Sequence, residues 1–108
     1  MIMKKEDIKK ILTENKEQIK KYKLISIALF GSFVKNEESE ESDIDILVEF
    51  DNSMFDENFT GYSDNYIELL SFLEQILGRK VDLLTNDMIS PYIKPYILRE
   101  VEYIETRD

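Results

Sequence analysis

The stretch from Ile25 to Phe50 constrains the fold more than any other part of the chain. It consists of an apolar run, a Gly-Ser pair, a polar acidic segment and a second apolar run that follows Asp43. Both apolar runs are short and rich in β-branched residues, so they predict two strands. Because residues two apart in a strand project to the same face, we expect Asp43 and Asp45 to lie side by side.

Two neighbouring carboxylates repel each other, and a cation between them relieves the repulsion. Paired hard oxygen ligands suit Mg²⁺, which usually binds one or two carboxylates and completes its shell with water and substrate phosphates. The Gly31-Ser32 turn complements such a site. Glycine lets a phosphate approach the backbone closely, and the turn's N–H groups and the Ser32 hydroxyl are potential phosphate donors. The stretch therefore predicts a site for metal-assisted phosphate chemistry.

The order of these motifs resembles the signature of the polymerase-beta-like nucleotidyltransferase superfamily. Gly31-Ser32 is followed after ten residues by Asp43-x-Asp45, and a later predicted strand, KVDLLT, carries a third acid, Asp82. The resemblance is strongest to the minimal, MNT-type branch and covers nearly the whole chain. Where that family usually has Ala-Arg-Gly after the turn, this chain has Val-Lys-Asn, so Lys35 keeps the positive charge without the bidentate fork of arginine.

The resemblance implies an α/β fold: a mixed sheet of three or four strands with helices packed mainly on one side. It implies transfer of AMP from ATP to a hydroxyl group, with two Mg²⁺ ions as cofactors. The residues implied as catalytic and metal-binding are Asp43, Asp45 and Asp82. The residues implied in nucleotide binding are Gly31, Ser32 and Lys35.

The acceptor of the nucleotide is a separate question. Larger superfamily members carry an extra domain that shapes the acceptor site, and we read residues 1–108 as a single minimal domain. The resemblance therefore implies a protein partner whose own surface shapes the acceptor site. The implied partner is a HEPN-domain ribonuclease toxin, and this chain would act as its antitoxin by modifying a tyrosine. Two alternatives stay open: a nucleotidyltransferase for a small molecule such as an aminoglycoside, and a non-catalytic antitoxin that neutralises its partner by contact.

Composition excludes several classes of function. The chain has no cysteine and no histidine, which excludes disulfides, thiolate or imidazole metal sites and a Ser-His triad. Its net charge of −9 argues against polynucleotide binding, which normally needs a basic surface. It contains no apolar run long enough to span a membrane and no signal peptide, so we expect a cytoplasmic protein.

Patterns along the rest of the chain predict the remaining elements. Periodic apolar residues predict a first helix over residues 5–22, whose lysine-rich face is either simply solvated or a docking surface. A second helix is expected from a cap at Ser63 or Asp64 to Gly78. Pro95 favours a helix over residues 95–100.

Two segments are less regular. Residues 51–64 are irregular but contain aromatic side chains, and we favour a cover for the sheet edge over a lid on the nucleotide. Residues 37–41 are expected to form a solvated acidic loop. Residues 101–105 fit either helix or edge strand.

Overall fold

A computed structural model of the chain describes residues 3–106, so the two residues at each end of the predicted 1–108 domain lie outside the described part. Within it, four strands form one mixed sheet in the order β3-β2-β1-β4. Strand β2 pairs antiparallel with β1 and parallel with β3, and β4 pairs antiparallel with β1. The strands are β1 (Leu24–Phe30), β2 (Ile44–Phe50), β3 (Val81–Thr85) and β4 (Glu102–Tyr103).

Alternation of side chains along these strands gives the sheet one large and one small apolar face. The large face holds Ile46, Val48 and Leu83, and most of the helices pack against it. The small face holds Phe30 and Leu47, which pack with Ile89, Ile97 and Val101. The α-helices in the described residues are α1 (Lys5–Glu14), α2 (Lys16–Lys20), α3 (Ser32–Lys35), α4 (Tyr62–Leu77) and α5 (Lys94–Glu100).

The predicted α/β class, mixed sheet and packing of helices mainly on one side are confirmed. For residues 101–105 the sequence left helix and edge strand open, and the structure has the short strand β4 there. The predicted helix after Pro95 is also present, beginning at Lys94. None of the helices in residues 3–106 has the length and apolar character needed to cross a bilayer.

Two helix boundaries differ from the prediction. The first helix is interrupted at Asn15, whose side-chain amide donates to the Ile11 carbonyl at 2.8 Å. Such a local bond competes with helix continuation, so α1 and α2 are separate segments. The second helix begins at Tyr62 after Gly61, which has a left-handed backbone, and neither Ser63 nor Asp64 is its cap. Gly78 ends that helix as predicted.

The aromatic residues of the irregular segment pack together at the far end of β2. Phe55, Phe59 and Tyr62 contact one another, with ring centroids 5.1–6.2 Å apart, and Phe50 joins them. Phe50 lies five residues from Asp45 along an extended strand, roughly 16 Å away. Because β2 is a central strand, the cluster covers one end of the sheet rather than the predicted sheet edge. This position also places the aromatic side chains away from the acidic pair.

The acidic loop that precedes β2 is attached to the start of β3 by one arginine. The Arg79 guanidinium donates to the carbonyls of Ser39, Glu40 and Ser42 at 3.2, 2.6 and 2.9 Å. It also lies over the Phe33 ring, 5.5 Å from its centroid. Arg79 therefore connects the chain before Asp43 to the strand that carries Asp82, a link that the sequence pattern did not reveal.

Replacing this arginine is expected to loosen the loop. Arg79→Met removes charge-assisted bonds to backbone carbonyls, so we expect the free energy of unfolding to fall by about 1–3 kcal/mol. Urea denaturation measures the change. Arg99→Met is the matched control, because Arg99 stacks over the Tyr96 ring at the surface and its loss should change stability by less than about 0.5 kcal/mol. Equal stability of the two variants would contradict the proposed link.

Candidate functional site

The three predicted carboxylates meet where β2 and β3 begin. In the parallel pairing of these strands, Asp45 is directly opposite Asp82, so both side chains project from the same face of the sheet. Asp43 lies two residues before Asp45 and immediately precedes β2. Asp43 and Asp45 are half-buried, whereas Asp82 is exposed. Strand register thus brings together acids that are 37 residues apart in sequence, at positions 45 and 82.

Asp45 is the electrostatic centre of this group. Its other neighbour in the sheet is Phe30, which is paired with it across the antiparallel β1–β2 ladder and is almost fully buried. Burial, followed by the charges of Asp82 and Asp43, raises the pKa of the Asp45 carboxyl to about 6. A backbone hydrogen bond from the Ser32 N–H acts in the opposite direction and lowers this pKa. The charge of Asp45 is therefore disfavoured first by burial and then by repulsion from the two neighbouring acids, and a cation would compensate for both.

The Gly31-Ser32 turn contacts Asp45 directly. Gly31 has a φ of 77°, and a Cβ atom there would lie 2.1 Å from Oδ2 of Asp45. The requirement for glycine thus has two causes: the backbone is in a region that disfavours side chains, and the space is filled by a carboxylate. We predicted the glycine for phosphate approach; the contact with Asp45 is a cause that the sequence did not reveal.

Lys35 completes the predicted nucleotide-binding set and lies at the end of α3. After it, Asn36 has a left-handed backbone with a φ of 61°, as expected for asparagine in place of the usual glycine. The Lys35 ammonium pairs with Glu100 at 3.4 Å, and the other Glu100 oxygen accepts from the Gly31 N–H at 3.4 Å. Glu100 is a residue of this site that sequence reasoning missed, because only tertiary structure brings α5 to the turn.

Two side chains of α4 hold the outer edge of the strand that carries Asp82. The Val81 N–H donates to the Glu74 carboxylate at 2.9 Å, and the Tyr66 hydroxyl donates to the Leu83 carbonyl. These bonds flank Asp82 on both sides and satisfy backbone groups that an edge strand leaves unpaired. Helical spacing marked Tyr66 only as a core position, so its role at this edge was not predicted.

The carboxylates do not form a complete metal cage. Among residues 3–106, no group of three or more histidine, cysteine, aspartate or glutamate side chains is placed so that it could hold a metal ion. Asp82 is exposed, and Asp43 and Asp45 are only partly buried. Surface concavities of about 480 Å³ and about 360 Å³ lie elsewhere, beside Ile25 and Tyr103 and beside Phe59 and Met88 respectively. An ion or substrate at the acidic group would need ligands or walls from another molecule.

Sequence comparisons agree on one family. A family profile described as "Nucleotidyltransferase domain" matches residues 8–104. A protein of Methanocaldococcus jannaschii that carries the provisional name protein adenylyltransferase is 49% identical over 100 residues, covering 91% of this chain and 95% of the relative. The protein adenylyltransferase MntA of Thermococcus cleftensis is 36% identical over 102 residues, covering 92% and 94%.

Structural comparisons point the same way. A structure provisionally described as a minimal nucleotidyltransferase superposes with a TM-score of 0.66 at 26% identity, covering 87% of this chain and 93% of that one. A crystal structure of a toxin–antitoxin with AMP-PNP superposes with a TM-score of 0.58 at 26% identity, covering 84% and 73%. The second structure contains an ATP analogue.

A glycine substitution tests the contact between the turn and Asp45. Gly31→Ala should displace the Asp45 carboxylate and weaken binding of ATP with Mg²⁺ at least about tenfold, the cost of one lost charge-assisted contact. Gly78→Ala is the matched control, because Gly78 also has a positive φ of 66° but no atom within 4 Å of the added Cβ. Gly31→Ala should lose more stability in urea than Gly78→Ala, because its Cβ also clashes with the Asp45 carboxylate, and only Gly31→Ala should lose affinity. Equal affinities would contradict the contact.

The raised pKa of Asp45 predicts a pH-dependent stability. This pKa of about 6 exceeds the ordinary aspartate value, so Asp45 binds a proton at a higher pH in the folded protein than in the unfolded chain. Acidification toward pH 4 therefore removes a destabilising charge from the folded state. Without divalent ions, Asp45→Asn should therefore be more stable than wild type by about 1 kcal/mol at pH 7.5, after allowance for solvent screening. Thermal unfolding should show the difference disappearing below about pH 4.

Asp56→Asn provides a control of opposite sign. Hydrogen bonds from Thr60 and Asn58 hold the pKa of Asp56 below its usual range, so its charge favours the folded state. This substitution should lower stability at pH 7.5, and the loss should shrink as the pH falls through the pKa of Asp56. If Asp45→Asn instead destabilised the protein at neutral pH, the argument that burial and repulsion disfavour the Asp45 charge would be wrong.

Proposed function

The chain belongs to the nucleotidyltransferase domain family, and on this basis we propose that it transfers AMP from ATP to a hydroxyl of a protein partner. The observation that carries the proposal is the alignment of Asp45 with Asp82 beside the Gly31-Ser32 turn. This arrangement joins a carboxylate group to a phosphate-binding turn, the two parts that nucleotidyl transfer needs. Protein adenylyltransferases are named among the relatives, which supports a protein as acceptor.

The donor set fits Mg²⁺. The ligands available are carboxylate oxygens, and repulsion among Asp43, Asp45 and Asp82 is the condition that a divalent cation neutralises. An incomplete cage is also expected, because Mg²⁺ at such sites takes one or two carboxylates and completes its shell with substrate phosphates and water. Asp43 and Asp45 would hold two ions and Asp82 would contribute to one of them. When bound, the ions would neutralise charge on the phosphates.

The chain's own residues have distinct tasks in the proposed transfer. The Gly31-Ser32 turn and Lys35 bind the triphosphate and orient it. The acceptor hydroxyl oxygen forms a bond to the α-phosphorus while the bond from that phosphorus to the bridging oxygen breaks, releasing pyrophosphate. Asp82, the most exposed of the three acids, accepts the hydroxyl proton as general base.

A protein partner suits the open site. Since the three carboxylates are exposed or only partly buried among residues 3–106, the acceptor has to supply its own walls, which a folded protein does and a small molecule does not. The structural relative with AMP-PNP is a toxin–antitoxin. We therefore propose that this chain is the antitoxin of a HEPN-domain toxin and modifies a tyrosine of that partner.

A double substitution separates enzymatic from contact-only neutralisation. Asp43→Asn with Asp45→Asn keeps the size of both side chains but removes the charges that would hold Mg²⁺. We expect the variant to fold, to add no AMP to a co-expressed HEPN partner, and to lose rescue of cell growth. Intact mass of the partner and growth on co-expression are the two measurements, and wild type should lose transfer when Mg²⁺ is chelated.

The matched control is Glu40→Gln with Glu41→Gln, which removes two charges from the exposed acidic loop and should keep both transfer and rescue. Full rescue by a folded Asp43→Asn, Asp45→Asn variant without added AMP would leave the contact-only antitoxin as the explanation. AMP found on an added aminoglycoside, but never on the partner, would favour the small-molecule alternative.

A further inference from the structure

Glu100 is an acid in an unexpected place, at the phosphate-binding turn. It is the last residue of α5, which packs on the small apolar face of the sheet through Ile97, and the following residue, Val101, packs there as well. This packing brings the Glu100 side chain, 25% exposed, to the turn between β1 and α3. The turn is 69 residues away in sequence, so the contact is purely tertiary.

The contacts of Glu100 are the ones assigned to the triphosphate. One carboxylate oxygen accepts from the Gly31 N–H and the other pairs with the Lys35 ammonium, both at 3.4 Å. A phosphate oxygen is an anionic acceptor of the same kind as a carboxylate oxygen, so the two groups need the same donors. Both distances are at the long end for such interactions, as expected of a contact that another anion can replace.

Charge gives a second reason why Glu100 and a triphosphate would exclude each other. The chain already has a net charge of −9, and Asp43, Asp45 and Asp82 lie beside the turn. A phosphate placed next to a fixed Glu100 carboxylate would add like-charge repulsion in a partly buried site. Binding of the phosphates therefore requires the Glu100 side chain to move away.

We propose that the Glu100 carboxylate is a built-in competitor for the phosphate-binding donors and that a bound triphosphate displaces it. Glu100 thereby sets the affinity for nucleotide: only a ligand that replaces both of its contacts binds well. The inference rests on the proposed function, because it takes the nucleotide to bind at the Gly31-Ser32 turn.

Glu100→Gln tests this proposal because the amide keeps the shape and an acceptor for the Gly31 N–H but loses the charge that holds Lys35. Binding is measured by calorimetry with three probes: ATP with Mg²⁺, tripolyphosphate and adenosine. We expect about three- to tenfold tighter binding of ATP and tripolyphosphate, the range for loss of one partly exposed ion pair and its repulsion. Adenosine affinity should be unchanged, which a merely structural role of Glu100 would not predict.

Glu102→Gln is the matched control for net charge. Glu102 lies two residues further along and its carboxylate pairs with Lys5 and Lys9, on α1, rather than with the turn. Glu102→Gln should change affinity for ATP less than twofold.

A double substitution tests the link between Glu100 and Lys35. Lys35→Met should cost more ATP affinity in the Glu100→Gln background than in wild type, because Lys35 is then no longer held by the competing acid.

The outcomes separate this inference from the proposed function. Equal or weaker ATP binding by Glu100→Gln, with wild type binding normally, would overturn the role of Glu100 and leave the transferase proposal intact. Tighter binding of ATP by Glu100→Gln, without any transfer of AMP to a partner protein, would support the role of Glu100 as a competitor and overturn the transferase proposal. If neither protein bound ATP or tripolyphosphate, both would be wrong.

Discussion

The contact between the Asp45 carboxylate and the Gly31-Ser32 turn is the interaction on which the site depends. The Ser32 N–H donates to this carboxylate, and the missing Cβ of Gly31 leaves room for it. The antiparallel pairing of β1 with β2 places the end of one strand beside the beginning of the other, so the turn and the acid have to meet. The parallel pairing with β3 then adds Asp82.

The supporting structure holds this arrangement from several sides. Arg79 attaches the loop before β2 to the beginning of β3, and side chains of α4 occupy the outer edge of β3 beside Asp82. The helices on the large face and the strand side chains that face them together form the larger apolar core. As a result, the three carboxylates of Asp43, Asp45 and Asp82 are kept close together by strand register and backbone bonds, although their mutual repulsion disfavours it.

The same arrangement leaves the carboxylate group in need of ligands from other molecules. In the part of the chain that the structure describes, no group of three or more acids could hold a metal ion, and the concavities beside Tyr103 and beside Phe59 lie away from Asp43, Asp45 and Asp82. In the function that we propose, substrate phosphates complete the metal shell and a partner protein closes the site. Glu100 adds a further condition, because the phosphates have to compete for donors that the chain already uses.

Local sequence was sufficient for much of this. Two short, β-branched apolar runs predicted β1 and β2, and the i, i+2 spacing predicted that Asp43 lies beside Asp45. The order of the motifs gave the family resemblance, and that resemblance implied the mixed sheet. Helix boundaries at Asn15 and Gly61 were missed because side-chain bonds and left-handed backbone outweigh periodicity there. The contacts of Glu100 and Arg79 required tertiary structure, since they join segments 69 and up to 40 residues apart through helix and strand packing that no local pattern records.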